Sequence, residues 1–291
     1  MKSVGFIGLG IMGGAMARNL IAAGWKVVGY DISDDTLVKF TSDGGRALGS
    51  VAEVACETDL IVVALPSLTA FNAVMFDLAA NCTSSHVIID TCVMSLDSKM
   101  HALSQFASTG AHLLDTPVSG TGAQAATRDL VVFGSGDRSA FDRALPILEG
   151  VARRCVYLGK FGNGSIMKFI ANHLVNIHNV AAAEAFVLAR SVGLDLQTVY
   201  DTLSDSAATS RMFQVRGPLM VAGKYDEPTA RIDMYMKDLD IISRFAADLR
   251  CPTPLFSAAT QLYFAAQQQG LGQLDTAAVC EVLESLAGCP R

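Results

Sequence analysis

The stretch "VGFIGLGIMGGAMARNLIAAG", Val4 to Gly24, sets an apolar run against a cluster of glycines and then a helix-like pattern. Gly8, Gly10 and Gly13 form a Gly-x-Gly-x-x-Gly. Alone the motif says little, because glycine turns between strands and helices are common. Its setting says more. "SVGFI" before it reads as a strand, Met16, Leu20 and Ile21 after it mark one face of a helix, and a second strand, "KVVGY", leads to Asp31. In such a unit the first glycine permits the tight turn, the second lets the backbone approach a pyrophosphate, and the third allows close helix packing. The helix N-terminus adds N–H groups and partial positive charge for the phosphates. Leu9, Ile11 and Met12 complete the candidate dinucleotide-binding turn with Gly8, Gly10 and Gly13. A carboxylate at Asp31 accepts hydrogen bonds from the adenosine ribose and repels a 2′-phosphate. "ISDD" after it adds acid and no arginine, so NAD is favoured over NADP. The competing use of Asp31, as cap of the next helix, is one that Ser33 serves equally well.

Outward from this unit the first half keeps alternating. "LIVVAL", "HVIID", "AHLLD" and "LVVFG" read as buried strands, since continuous Val, Ile and Leu suit a sheet covered on both faces. Helix-compatible stretches lie between them, among them residues 13–23 and 33–41. The alternation predicts a mainly parallel α/β sheet of Rossmann type. The texture changes near "KFGNGS". "SIMKFIANHLVNIHNVAAAEAFVLARSVG" has no proline or internal glycine from Ser165 to Val192, and Gly193 is placed to end a helix there. Further helical patterns cover residues 196–203, 236–249 and 257–269. The expected division is residues 1–163, a Rossmann domain, and 164–291, an all-α domain that begins with a long helix.

Composition excludes several classes of function. The 291 residues are 51% hydrophobic and 17% charged, which marks a globular chain. A formal net charge of −6 argues against a nucleic-acid partner. The seven cysteines (Cys56, Cys82, Cys92, Cys155, Cys251, Cys280 and Cys289) form no Cys-x-x-Cys pair, and the five histidines show no metal-ligand spacing. No metal is expected, and a reducing cytoplasm suits the thiols. "MKSVGFIG" lacks the apolar core of a secretory signal, and no apolar run reaches membrane-spanning length.

Lys168, Asn172, Asn176 and Asn179 fall at helical spacing on one side of an otherwise apolar helix, a polar stripe expected to line a cleft or an interface. On composition alone a helix lysine is most often a solvated charge. Four stretches change that weighting: "FIGLGIMGGAMARNL" at the start, "DTPVSGTGAQAATRDL" from Asp115, "GNGSIMKFIAN" from Gly162 and "KDLDII" from Lys237. In this order, over essentially the whole chain, they resemble the β-hydroxyacid dehydrogenase family, which includes 3-hydroxyisobutyrate dehydrogenase and tartronate semialdehyde reductase.

The resemblance implies a Rossmann domain, a long interdomain helix, an all-α C-terminal domain like that of 6-phosphogluconate dehydrogenase, and hydride exchange between nicotinamide and a small β-hydroxyacid. It implies Lys168 as general acid/base, with Asn172 holding the reacting oxygen. Ser119, Gly120 and Thr121 would grip the substrate carboxylate, Leu65 and Pro66 would border the cofactor, and Lys237 would lie near it. A surface ion pair of Lys237 with Asp240 is the equal alternative. The chain departs from the pattern at Thr121 and Arg128, where the family has glycines, and at Cys92 and Val93, where it has hydroxyl residues. Cys92 is not expected to act as a nucleophile, since no basic partner is in view. Relatives carry an aromatic residue seven positions before the "KDL" lysine; here Ala230 stands there, beside Arg231. The lost ring opens space, and Arg231 is a candidate for reading a second polar or anionic substrate group. The resemblance also implies a homodimer or homotetramer. Two alternatives share the scaffold: a reductase of an aldehyde acid or imine, and a catalytically silent dinucleotide-binding module.

Overall fold

The computed structural model describes residues 2–289. Packing divides the chain into two compact units, one ending at Lys168 and the other beginning at Phe169. In the first, strands and helices alternate: β1 (Ser3–Ile7), α1 (Ile11–Ala22), β2 (Lys26–Tyr30), α2 (Asp34–Ser42), β3 (Arg46–Ala47), α3 (Val51–Glu57), β4 (Leu60–Val63), α4 (Leu68–Asn81), β5 (Val87–Asp90), α5 (Leu96–Gln105) and β6 (His112–Asp115). The six strands form one parallel sheet in the order β3-β2-β1-β4-β5-β6. The strand order reverses between β1 and β4, so both strands end at the crevice where sheets of this kind take ligands. Val4, Phe6, Val62, Val87 and Ile89 pack on one side of the sheet, and Ile7, Ile61, Val63 and Ile88 on the other. Burial on both faces is why these strands read as unbroken apolar runs.

The helices start in two ways. Ser33, Ser50, Ser67 and Ser95 cap α2, α3, α4 and α5, each accepting an N–H from the first turn. α1 begins at Gly10 with no side-chain cap.

β7 (Val118–Ser119), α6 (Gly122–Ala126), β8 (Val131–Gly134), α7 (Arg138–Val151) and β9 (Arg154–Tyr157) follow. Their strands make a separate sheet, β7-β8-β9, in which β7 is antiparallel to β8 and β9 is parallel to it. "LVVFG" is thus a strand as expected, in a second sheet. β9 is not among the expected strands; its short apolar run "CVYL" lies half-buried at the edge of this sheet.

α8 (Asn163–Ser191) is unbroken, as its sequence predicts, and Gly193 follows it with φ +78°. The second unit adds α9 (Leu196–Ser204), α10 (Arg211–Ala222), α11 (Ile232–Asp248), α12 (Pro254–Gln268) and α13 (Val279–Leu286), with short 3₁₀ turns between α12 and α13. Its buried polar contacts include Arg216, whose Nη1 donates to Asp275 Oδ2 at 2.7 Å. Among the described residues no helix is long and apolar enough to cross a membrane.

Candidate cofactor and catalytic site

The three glycines of the first turn differ in what surrounds them. Gly8 has φ +87°, and a Cβ there would strike the Ala64 carbonyl at the end of β4. A Cβ at Gly13 would strike the Gly8 carbonyl, so the turn closes only with glycine at both ends. At Gly10 a Cβ would meet nothing within 4 Å. The open side of Gly10, the uncapped start of α1 and the exposed Ile11 together make a cradle with N–H groups unclaimed by any side-chain cap. Leu9 is buried beneath it and Met12 is half-buried. Gly10→Ala is therefore expected to fold normally, its stability within about 0.5 kcal/mol of the parent as for an unhindered surface change, while NAD(P) affinity drops about tenfold or more. Thermal melts and calorimetric titration separate the two effects, and equal damage to both would contradict the assignment.

Asp31 ties this turn to the end of β2. Leu9 N–H donates to its Oδ2 at 2.7 Å and Ser33 N–H to its Oδ1 at 2.9 Å. The helix cap is Ser33, so Asp31 is not spent on capping. A carboxylate accepts about four hydrogen bonds, which leaves capacity for two ribose hydroxyls.

Across the crevice, Leu65 N–H meets Cys92 Sγ at 3.2 Å, and Pro66 beside it is exposed. Burial pushes the Cys92 thiol well above its ordinary range, with Asp90 reinforcing the shift. The side chain that stands where a hydroxyl was expected is thus a protonated, buried thiol that packs under the Leu65 backbone.

Ser119 ends β7, and Gly120 follows in the left-handed half of φ space at +140°. Thr121 caps α6: Gln124 N–H reaches its hydroxyl, and the Gln124 side chain accepts from Thr121 N–H at 3.1 Å. The departure from glycine at this position thus has a local use. Arg128, the other departure, has φ +61°, a conformation that glycine adopts more cheaply. Its guanidinium donates to the Glu149 carbonyl at 3.0 Å.

On α8, Lys168 is 9% exposed and Asn172, one turn on, is 7% exposed. Asn172 Nδ2 donates to Asp238 Oδ2 at 2.9 Å, and Tyr235 O–H donates to the Asn172 carbonyl at 3.2 Å. Neither Asp238 nor Tyr235 was singled out from the sequence, although Asp238 stands inside the quoted "KDL". Lys237 lies 3.8 Å from Asp238, and Asp240 pairs with Arg244 at 3.2 Å. Arg231 precedes α11 and pairs with Asp233 at 3.1 Å.

The rest of the stripe lies at an interface between helices, the second of the two expected settings. Asn176 donates to Thr260 Oγ1 at 3.2 Å and Asn179 to the Thr276 carbonyl at 2.9 Å, both inside the helical unit. Periodicity put the four residues on one side correctly; what that side meets below Asn172 is packed helix.

Residues 3–159 match the family described as the NAD binding domain of 6-phosphogluconate dehydrogenase, and residues 162–283 the one described as NAD-binding of NADP-dependent 3-hydroxyisobutyrate dehydrogenase. An L-threonate dehydrogenase of Cupriavidus necator is 31% identical, over 98% of this chain and 97% of that one. The crystal structure of a 3-hydroxyisobutyrate dehydrogenase from Salmonella typhimurium superposes with a TM-score of 0.87 at 31% identity, covering 97% of this chain and all of that one. That of a Mycobacterium tuberculosis 3-hydroxyisobutyrate dehydrogenase gives a TM-score of 0.88 at 28% identity, over 97% and 99%. The glycine cradle, the Asp31 carboxylate and these matches along nearly the full length lead to one assignment: the chain belongs to the β-hydroxyacid dehydrogenase family of NAD(P)-dependent oxidoreductases.

Proposed function

We propose that this chain oxidises a small, polar hydroxyacid with NAD, residues 1–163 serving the cofactor and 164–291 forming the helical part. The observation that carries the reading is the pairing of an uncapped glycine cradle backed by Asp31 with a buried lysine on the first turns of α8. Gly8, Leu9, Gly10, Ile11, Met12 and Gly13 would hold the pyrophosphate, Asp31 the ribose, and Leu65 and Pro66 the flank, while Lys237 is assigned to the cofactor on the family resemblance alone. When bound, the nicotinamide supplies the acceptor for the hydride that leaves the carbinol carbon. Lys168 takes the hydroxyl proton. Asn172, its carboxamide oriented by Asp238, has a second Nδ2 proton with which to hold the substrate oxygen. Ser119, Gly120 and Thr121 anchor the carboxylate. Cysteines that form no disulfide among the described residues suit a reducing cytoplasm, and assembly as a homodimer or homotetramer follows the family.

Cofactor choice follows from Asp31. The wild type is expected to prefer NAD, and Asp31→Ala to narrow the preference by raising relative use of NADP. Comparing kcat/KM for the two cofactors in both proteins checks this; a wild type that uses NADP as well as NAD contradicts it.

Substrate choice follows from Ala230 and Arg231. A polar acid of the L-threonate kind, the substrate in the name of one relative, is expected to outrank 3-hydroxyisobutyrate, and Arg231→Ala to raise KM for the polar acid selectively. The Arg231–Asp233 pair is exposed, so exchanging one partner costs little. A best rate with 3-hydroxyisobutyrate, or no change in Arg231→Ala, contradicts the polar pocket.

A further inference from the structure

The start of α8 is held by residues far away in the chain. Gly164 N–H donates to Ser135 Oγ at 2.9 Å. Ser165 N–H donates to Asp115 Oδ2 at 2.7 Å, and the Ser165 hydroxyl to Asp115 Oδ1, also at 2.7 Å, across 50 residues of sequence. The helix comes so close that a Cβ on Gly164 would lie 2.6 Å from the Asp115 carbonyl oxygen. Asp115 ends β6 and is fully buried. Its Oδ1 lies 3.2 Å from Lys99 Nζ, which also donates to Asp90 Oδ2 at 2.5 Å and to the Cys92 carbonyl at 2.8 Å. Cys92 N–H in turn donates to Asp90 Oδ1 at 2.9 Å. One buried ammonium thus joins the loop that packs under Leu65 to the turn that precedes Lys168.

Two carboxyl groups share one ammonium, and the positive end of a 29-residue helix is aimed at Asp115. Serine caps of the kind that begin α2 to α5 would satisfy the same N–H groups without burying three charges. What the charged cluster adds is a single arrangement, because a half-satisfied buried network is costly. Helical side chains lean toward the N-terminus, so the turn that Asp115 grips is the one over which the Lys168 side chain lies.

We propose that Asp115, braced by Lys99 and Asp90, is the positioning residue for Lys168, setting the place from which its amine meets the substrate hydroxyl. This rests on the assignment of proton transfer to Lys168. The test is a cycle of Asp115→Asn and Lys168→Ala, singly and together, with kcat, KM and the NAD dissociation constant measured for each. Asp115→Asn alone is expected to lower kcat about tenfold to a hundredfold, the scale of a small misplacement, with the NAD dissociation constant within about threefold of the parent. Added to Lys168→Ala it is expected to cost less than about twofold more, since there is no amine left to misplace. An equal loss in both backgrounds, or an unchanged kcat in Asp115→Asn, overturns the positioning role while leaving Lys168 in place. Near-normal turnover by Lys168→Ala removes the assignment and the proposal with it. Should Asp115→Asn not fold, Ser165→Ala deletes only the hydroxyl bond: kcat is expected to fall about threefold to tenfold and to recover in Ser165→Thr. An unchanged kcat in Ser165→Ala then overturns the proposal.

Discussion

Lys168→Ala is expected to lose about a hundredfold or more in kcat, the usual contribution of a placed general acid/base, while its NAD(P) affinity stays close to that of the parent. The split between the two quantities carries the argument. The glycine turn and Asp31 lie at the ends of β1 and β2, so a change confined to α8 leaves their hydrogen bonds intact. Asn172→Ala is expected to be milder, because it removes a hydrogen bond to the reacting oxygen and not the proton acceptor. Steady-state rates with calorimetric cofactor titration check both variants. A Lys168→Ala enzyme that turns over near the wild-type rate would exclude the lysine as the proton-transfer group.

Lys99→Met is expected to cost about 3–5 kcal/mol of stability near neutral pH, the range for breaking a buried pair from one side. The side chain is fully buried, and methionine fills a similar volume, so the loss is one of charge more than packing. In the wild type, burial works against the Lys99 ammonium, but Asp90 and Asp115 outweigh it and hold the group above the ordinary lysine range. That contribution is fully present below the unfolded lysine value and is lost only as pH rises through the folded one. Burial also raises Asp90, with Lys99 only partly opposing the shift. A carboxylate raised in the folded state costs stability as pH rises from its unfolded to its folded value. Removing Lys99 enlarges this cost, so the deficit of Lys99→Met should shrink as pH falls from neutral toward the ordinary carboxylate range and the folded state takes up a proton. Denaturant unfolding across that range measures it. A deficit that grows on acidification would show that Lys99 does not favour the charged form of Asp90.

What could be read in advance has a common physical character. The glycine turn, β1 and β2 were readable because their chemistry is local: apolar runs, a turn that tolerates no side chain, and a carboxylate one strand away. α8 was readable because nothing in Ser165–Val192 interrupts a helix. Where partners lie far apart in sequence, the same residues were silent. An apolar run such as "LVVFG" fixes a strand and not the sheet that receives it, and β9, half-buried at a sheet edge, carries only the short "CVYL". The spacing of Asn176 and Asn179 is that of a polar face, but Thr260 and the turn at Thr276 wait for them on other helical elements. The Asp115–Lys99 cluster left one trace in the sequence. "HVIID" and "HLLD" each end in an aspartate directly after buried residues, and a charge at the end of a buried strand calls for a partner.

The measurement that tests the account most directly is nicotinamide absorbance during incubation of the wild-type protein with NAD or NADP and a panel of short hydroxyacids. Reduction of NAD is expected, faster than of NADP, with a polar hydroxyacid at the head of the panel and almost none of that signal in Lys168→Ala. Failure of every hydroxyacid to reduce either cofactor, in protein shown to be folded and to bind NAD(P), would contradict it.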